Sequence, residues 1–325
     1  MSSLVFLRLA ATFAVVALGW AFGRTPLLRG REAARALSNA AFFIFAPALL
    51  FRTTARIDFA QLPWRAMAAF FVPVTAFMLV VYATQRPRMR RGELPQGGAG
   101  VRAITASFGN LAQLGIPVTA ALFGETGLAI HLAIVSLHAL TLLTVLTLCT
   151  EMDLAHSSVR TGMPRRPLLQ TLATTVRNTV IHPIVLPVLL GMLWNLGGVA
   201  LPQPLDEVLQ MLSQAVVPLC LIAIGLTLAH HGVTGALASA AKIATVKLLL
   251  VPAIVLPVAH FGFRLDGLPL AVVVMCAAMP AGSNALLFAQ RYGALEAETT
   301  TAIVLSTLGF AVAAPVWLLA LHAFS

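Results

Sequence analysis

The sequence predicts an all-α polytopic membrane protein of ten transmembrane helices, built as a 5+5 inverted repeat with helices 4 and 9 broken and crossed. Three observations carry that reading. Hydrophobic residues make up 59% of the 325 and charged residues only 10%, where ordinary globular domains have roughly 45–50% and about 25%. Apolar runs recur along the whole chain at about the 20 residues that a bilayer core of about 30 Å demands. Two of these runs carry Gly, Asn and Pro in mid-span, which a lipid-facing helix does not tolerate, because freed backbone groups find no water there. A soluble fold could not cover so much apolar surface with so few charges.

The spans are expected at 4–22, 33–51, 64–84, 101–121, 127–149, 179–196, 208–229, 243–261, 268–289 and 299–321. The first resembles a secretory signal, but no small-residue cleavage motif follows it and the chain continues through Arg24 to Arg29, so it is kept as a span. Orientation follows from the basic residues, 21 Lys+Arg against 11 Asp+Glu for a net charge of +10. In a soluble protein that excess would suggest nucleic acid. Here the basic residues lie mostly in short links between spans, so nucleic acid is excluded as a partner and the lipid bilayer takes its place. Only Arg8, Arg52, Arg56, Arg65 and Arg264 fall on the side of the even-numbered links and the termini. The clusters Arg24–Arg35, Arg86–Arg102 and Arg160–Arg177, with Lys242, Lys247 and Arg291, fall on the other. The positive-inside rule therefore puts the odd-numbered links in the cytoplasm and both termini outside, in a multi-pass protein of the cell (inner) membrane.

Residues 1–155 form the first expected repeat, 156–178 a cytoplasmic link, and 179–325 the second. Five spans per half send the halves into the membrane from opposite sides. Pro47 and Pro218 occupy equivalent spans 171 positions apart, and Asn110 and Asn284 lie 174 apart.

Broken spans in corresponding positions of two halves point to a transport site. Pro117 removes a backbone donor, and Gly109 and Gly115 permit unwinding in span 4; Pro280 and Gly282 do the same in span 9. A crossing of the two breaks would aim two half-helix N-termini at one point. With the amides of Asn110, Gln113 and Asn284 and the hydroxyl of Ser283, that point suits a small organic anion, most naturally a carboxylate. No Asp or Glu falls well inside any span, which counts against a carboxylate-based site for protons or Na⁺. His131 and His138, seven apart on one face of span 5, are read either as packed, hydrogen-bonded groups or as proton or substrate groups. Lys247 in span 8 either snorkels to the cytoplasm or attracts anions from inside.

Enzyme chemistry has no foothold. A Walker A loop, HExxH, GxSxG and CxxC are all missing from the sequence. Cys149, Cys220 and Cys276 sit in apolar runs as small core residues, so neither a metal site nor a cofactor is expected.

Several segments together resemble the auxin efflux carrier family, which includes plant PIN-type auxin carriers and bacterial permeases described as malonate or malate carriers. They are Pro-Ala-Leu-Leu-Phe at 47–51, Phe-Gly-Asn through Leu-Gly-Ile-Pro at 108–117, and Pro-Leu-Cys-Leu-Ile-Ala-Ile-Gly-Leu at 218–226. Lys-Leu-Leu-Leu-Val-Pro at 247–252 and Ala-Met-Pro-Ala-Gly-Ser-Asn at 278–284 complete the set. The resemblance implies a bile-acid-symporter or NhaA-like fold. It further implies a scaffold of spans 1, 2, 6 and 7, a mobile transport domain of spans 3–5 and 8–10, and homodimers formed through the scaffold. Substrate would sit at the crossover, with Pro117 and Pro280 as crossover prolines and Asn110 and Asn284 on the carboxylate. His182 before Pro183 is a departure, since relatives often have Asn-Pro there. The competing readings are a Na⁺-coupled bile-acid-type symporter and, outside the carrier class, a channel or scaffolding membrane protein. A channel would present rings of like charge or repeated filter loops.

Overall fold

The computed structural model describes residues 3–28, 31–56, 63–161, 177, 181, 185–230, 237–322 and 324. These residues are almost wholly helical, and no β-strand occurs among them. Helix α1 is Ser3–Gly23, and α2 runs through Arg31–Ala40, Ala41–Phe45 and Ala46–Thr54. Helix α3 is Trp64–Arg90. Helix α4 comes in two pieces, α4a (Gly98–Ser107) and α4b (111–123). Gly124, at φ 65°, turns the chain into α5 (125–161), a backbone angle that costs glycine nothing. Then follow α6 (Val185–Leu196), α7 (Gln203–His230) and α8 (Leu237–Gly262). Helix α9 is again two pieces, α9a (Gly267–Ala278) and α9b (Asn284–Tyr292), before α10 (Glu296–His322). Five of the helices, α3, α4b running into α5, α7, α8 and α10, contain stretches long and apolar enough to cross a membrane. Side chains such as Phe22, Val72, Leu193, Met211 and Val312 face outward, as the hydrocarbon of a bilayer requires.

Three of the four π-helical turns among the described residues, Ala41–Phe45, Leu111–Gly115 and Val246–Leu250, each end two residues before a proline, Pro47, Pro117 and Pro252, whereas the fourth, Val258–Gly262, follows Pro257. The cause is local. Proline has no N–H for the carbonyl four residues earlier, and widening the preceding turn relieves the clash with its ring. The carbonyl freed by Pro252 belongs to Leu248, and the Trp317 indole of α10 donates to it at 2.8 Å.

One buried core joins all the helices, and contacts are densest within two sets of them. Helix α1 lies along α7, and their backbones meet closely: a Cβ on Gly19 would stand 2.5 Å from the Ile222 carbonyl oxygen, and one on Gly225 2.1 Å from that of Val16. Helix α2 packs on α6 and α7, with Arg52 and Arg56 on Asp206 at 2.8 and 2.6 Å. The second group holds α3, α4, α5, α8, α9 and α10 around a buried core that includes Phe70, Ile104, Leu132, Ile134 and Met275. The ion pairs described below lie within it. Arg102 of α4a meets Glu298 of α10 at 2.8 Å, with Ser239 of α8 bonded to the same carboxylate. Arg86 of α3 meets Asp153 of α5, whose carboxylate also accepts from Tyr82. Helices α3 and α5 run on to Arg90 and Thr161, past the apolar runs expected to end at 84 and 149, and the Arg86–Asp153 pair joins them there.

Candidate functional site

The two interrupted helices cross, and backbone hydrogen bonds hold the crossing. Gly109 and Ala281 form an isolated antiparallel bridge. Asn110 N–H donates to the Pro280 carbonyl at 2.7 Å, and Gly282 N–H donates to the Phe108 carbonyl at 2.9 Å. Each break thus satisfies polar groups of the other, which is how a helix can open in an apolar interior without orphaning its backbone.

The breaks arise differently. In α9, Pro280 biases Met279 away from helical angles, and Met279 sits at ψ 143°. Gly282 then fits where little else could, since a Cβ there would lie 2.9 Å from the Gly109 carbonyl oxygen. In α4 the break is made without proline. Phe108 is extended at ψ 112° and Asn110 sits at ψ 61°. The Asn110 side chain caps the new helix start, accepting from Gln113 N–H at 3.2 Å. Pro117, expected at the crossing, lies one π turn beyond it, in the first turn of the α-helix starting at Ile116. Gly115 belongs to that π turn, its N–H donating to the Asn110 carbonyl at 2.9 Å.

The crossing brings together Gly109, Asn110, Pro280 and Gly282, with Gln113, Ser283 and Asn284 on the first turns of α4b and α9b. Asn110, Gln113 and Asn284 are half-buried and Ser283 is exposed, while the glycines and prolines of the set are buried. About the bridge, Asn110 corresponds to Gly282 and Asn284 to Ala112, an offset of 172 that differs by two from the amide-to-amide spacing. The two amides therefore stand at different depths of their half-helices. The N–H groups of Leu111, Ala112, Ser283 and Asn284 have no partner among the described residues. Helix starts carry partial positive charge, and among the described residues no Asp or Glu occupies either break. Chemically, this is a cluster of donors without a counter-charge for a cation.

The remaining predicted residues fall around the crossing. His131 is fully buried and holds the opened segment. Its Nε2–H donates to the Leu111 carbonyl at 2.8 Å, because a carbonyl can only accept, which leaves Nδ1 to accept from the Thr119 hydroxyl at 3.1 Å. The Cys276 sulfur of α9a lies 3.1 Å from the same nitrogen. His138 is buried against the Phe108 and Phe70 rings, at 4.2 and 5.7 Å between centroids, and neither ring nitrogen has a hydrogen-bond partner among the described residues. Lys247 does not snorkel. Its side chain is buried, and Nζ donates to the Ala277 carbonyl at 2.6 Å, at the end of α9a. His182 lies outside the described residues. One contributor escaped the sequence reading: Ser306 of α10 accepts from Ala281 N–H at 3.0 Å, and a serine in an apolar run gives no motif to find it by.

The chain is similar in sequence to proteins named as transporters. The profile of a family described as "Membrane transport protein" matches residues 4–318. An "Uncharacterized transporter" of Methanothermobacter thermautotrophicus is 28% identical over 291 residues, covering 89% of each chain. A "Putative malonate transporter" of Rhizobium meliloti is 24% identical over 303 residues, 91% of this chain and 89% of the relative. The "Uncharacterized transporter YfdV" of Escherichia coli K12 is 27% identical over 223 residues, 68% of this chain and 67% of the relative. The chain belongs to this membrane transport family, the auxin efflux carrier family.

Proposed function

We propose, from membership of a membrane transport family, that this chain is a secondary carrier of small organic anions, mono- or dicarboxylates such as malonate or malate. The anion binds at the crossing of α4 and α9. The observation that carries this reading is the pair of mutually bonded breaks, with open N–H groups and the amides of Asn110, Gln113 and Asn284 on two helix starts. Such starts favour negative charge, and charge-assisted hydrogen bonds strengthen it. An ammonium substrate would find donors but no carboxylate and would carry a severe desolvation cost. The relative named for malonate supports the choice of a dicarboxylate.

In this reading all ten helices span the cell (inner) membrane as a 5+5 inverted repeat, with both termini extracytoplasmic. Helices α1, α2, α6 and α7 form a scaffold through which two copies dimerise. Helices α3–α5 and α8–α10 form the body that carries the site between the two faces. The pairs of Arg52 and Arg56 with Asp206 within one set, and of Arg102 with Glu298 and Arg86 with Asp153 within the other, favour a division along that line, because a moving boundary cannot carry fixed charge pairs.

The test is counterflow of labelled malonate in proteoliposomes, with and without Na⁺. Uptake driven by internal malonate, and lost in Asn110→Leu protein of normal yield, is the expected result. Counterflow unaffected by that substitution would refute the site, and a strict Na⁺ requirement would favour the bile-acid-type symporter reading.

A further inference from the structure

Among the described residues, Lys247 is the buried ionisable side chain without an ion-pair partner that the crossing leaves unexplained. It lies in the π turn of α8, 1% exposed. Of its three N–H donors, one is used, on the Ala277 carbonyl. Among the described residues no carboxylate pairs with it. Its titratable neighbours are the Cys276 thiol on α9a and the unpartnered His138 imidazole on α5. Ala277 is the penultimate residue of α9a, two positions before the chain leaves the helix at Met279.

Two physical points follow. The carbonyl end of a half-helix carries partial negative charge that would repel an anion bound nearby, and an ammonium on that end cancels it. That interaction is only partial compensation: a buried charge without an opposite charge costs several kcal/mol even after relaxation. A lysine kept merely to tether α8 to α9a would be an expensive way to make one hydrogen bond.

We propose that Lys247 is the fixed counter-charge of the transported anion, so that the interior is short of one negative charge until a carboxylate enters the crossing. The inference rests on the anion-carrier reading above. It makes two linked statements. The charge that favours the loaded state also destabilises the empty one, and Lys247 adds to the preference for negative charge that the helix starts of the crossing already give.

The experiment is thermal melting and ligand titration of the purified protein with malonate, acetate and the uncharged malonamide. Lys247→Met and Lys247→Gln should melt no lower than wild type when empty, since removing an uncompensated buried charge is neutral or stabilising. Both should bind malonate about tenfold or more weakly, the effect of one charge at moderate separation in a screened interior. Lys247→Arg should retain most of the affinity, and malonamide should give no shift with any form. Wild type that responds to no carboxylate would sink the carrier reading itself. Wild type that responds, with unchanged malonate affinity in both neutral variants, would overturn the counter-charge alone. Lower melting of the empty variants, or their failure to fold, would also overturn it, because the proposal requires the empty protein to tolerate the loss.

Discussion

Asn110 does two jobs with one side chain. Its Oδ1 caps α4b through Gln113 N–H, while its Nδ2 has no partner among the described residues. The roles separate by substitution. Asn110→Asp keeps the cap and places a negative charge where the anion would bind, so the melting temperature should hold while malonate transport disappears. Asn110→Leu removes the cap as well and should cost about 1 kcal/mol of stability. Equal transport by the Asp variant and wild type would contradict anion binding at this residue. A second residue-scale test concerns Gly115, where an added Cβ would lie 2.7 Å from His131 Cε1. The imidazole cannot swing away without releasing the Leu111 carbonyl. Gly115→Ala should therefore destabilise by about 1–3 kcal/mol, read as a lower melting temperature. An unchanged melting temperature would mean that His131 is not holding the opened segment.

At the scale of elements, the local causes of the irregularities are visible once the helices are known. The three π turns ahead of Pro47, Pro117 and Pro252 share a missing N–H, but Pro73, Pro218 and Pro315 lie in helices without such a turn, so proline in an apolar run does not by itself mark one. The break in α4 was legible as a Gly-Asn pair, but Pro117 drew attention one turn too far, because proline's clash acts on the turn before it and not on the chain eight residues away. The close approach of α1 and α7 rests on Gly19 and Gly225, and nothing local to either helix names the other as its partner. Gly225→Leu should force these helices apart, because its first added carbon would already stand 2.1 Å from the Val16 carbonyl oxygen. Loss of monodisperse protein in detergent is the expected outcome, and normal behaviour would deny the contact. Glu298→Gln should cost about 3 kcal/mol, since Arg102, only 15% exposed, would keep its charge and lose its partner.

For the whole molecule, orientation and motion are the open consequences. In protein lacking Cys149, Cys220 and Cys276, a cysteine at Glu93, exposed after α3, should react only with reagent on the cytoplasmic face. One at Ala200, exposed before α7, should react only from outside. The reverse pattern would overturn the topology and the inverted repeat together. If the two helix groups move against each other, a link between them should stop transport. Phe13 of α1 and Phe310 of α10 face each other across the boundary, 6.1 Å between ring centroids. Cysteines at both positions joined by a short bifunctional maleimide should abolish counterflow and leave substrate binding intact. Undiminished counterflow in the cross-linked protein would rule out relative motion at this contact.

The sequence by itself determined the class of this protein. Few charges and many apolar residues leave a chain no aqueous fold, and Gly, Asn and Pro in mid-span mark where its helices open, because both effects depend only on composition and local backbone chemistry. It also supplied polar residues that meet at the crossing, Asn110, Gln113, Ser283 and Asn284. Only the tertiary structure decided which groups those residues meet. The antiparallel bridge between Gly109 and Ala281, the His131 bond to the Leu111 carbonyl, the Ser306 bond to Ala281 and the burial of Lys247 against Ala277 all join residues 20 to 172 positions apart. Contacts of that kind arise from how helices pack, and packing is not written in any window of the sequence short enough to read.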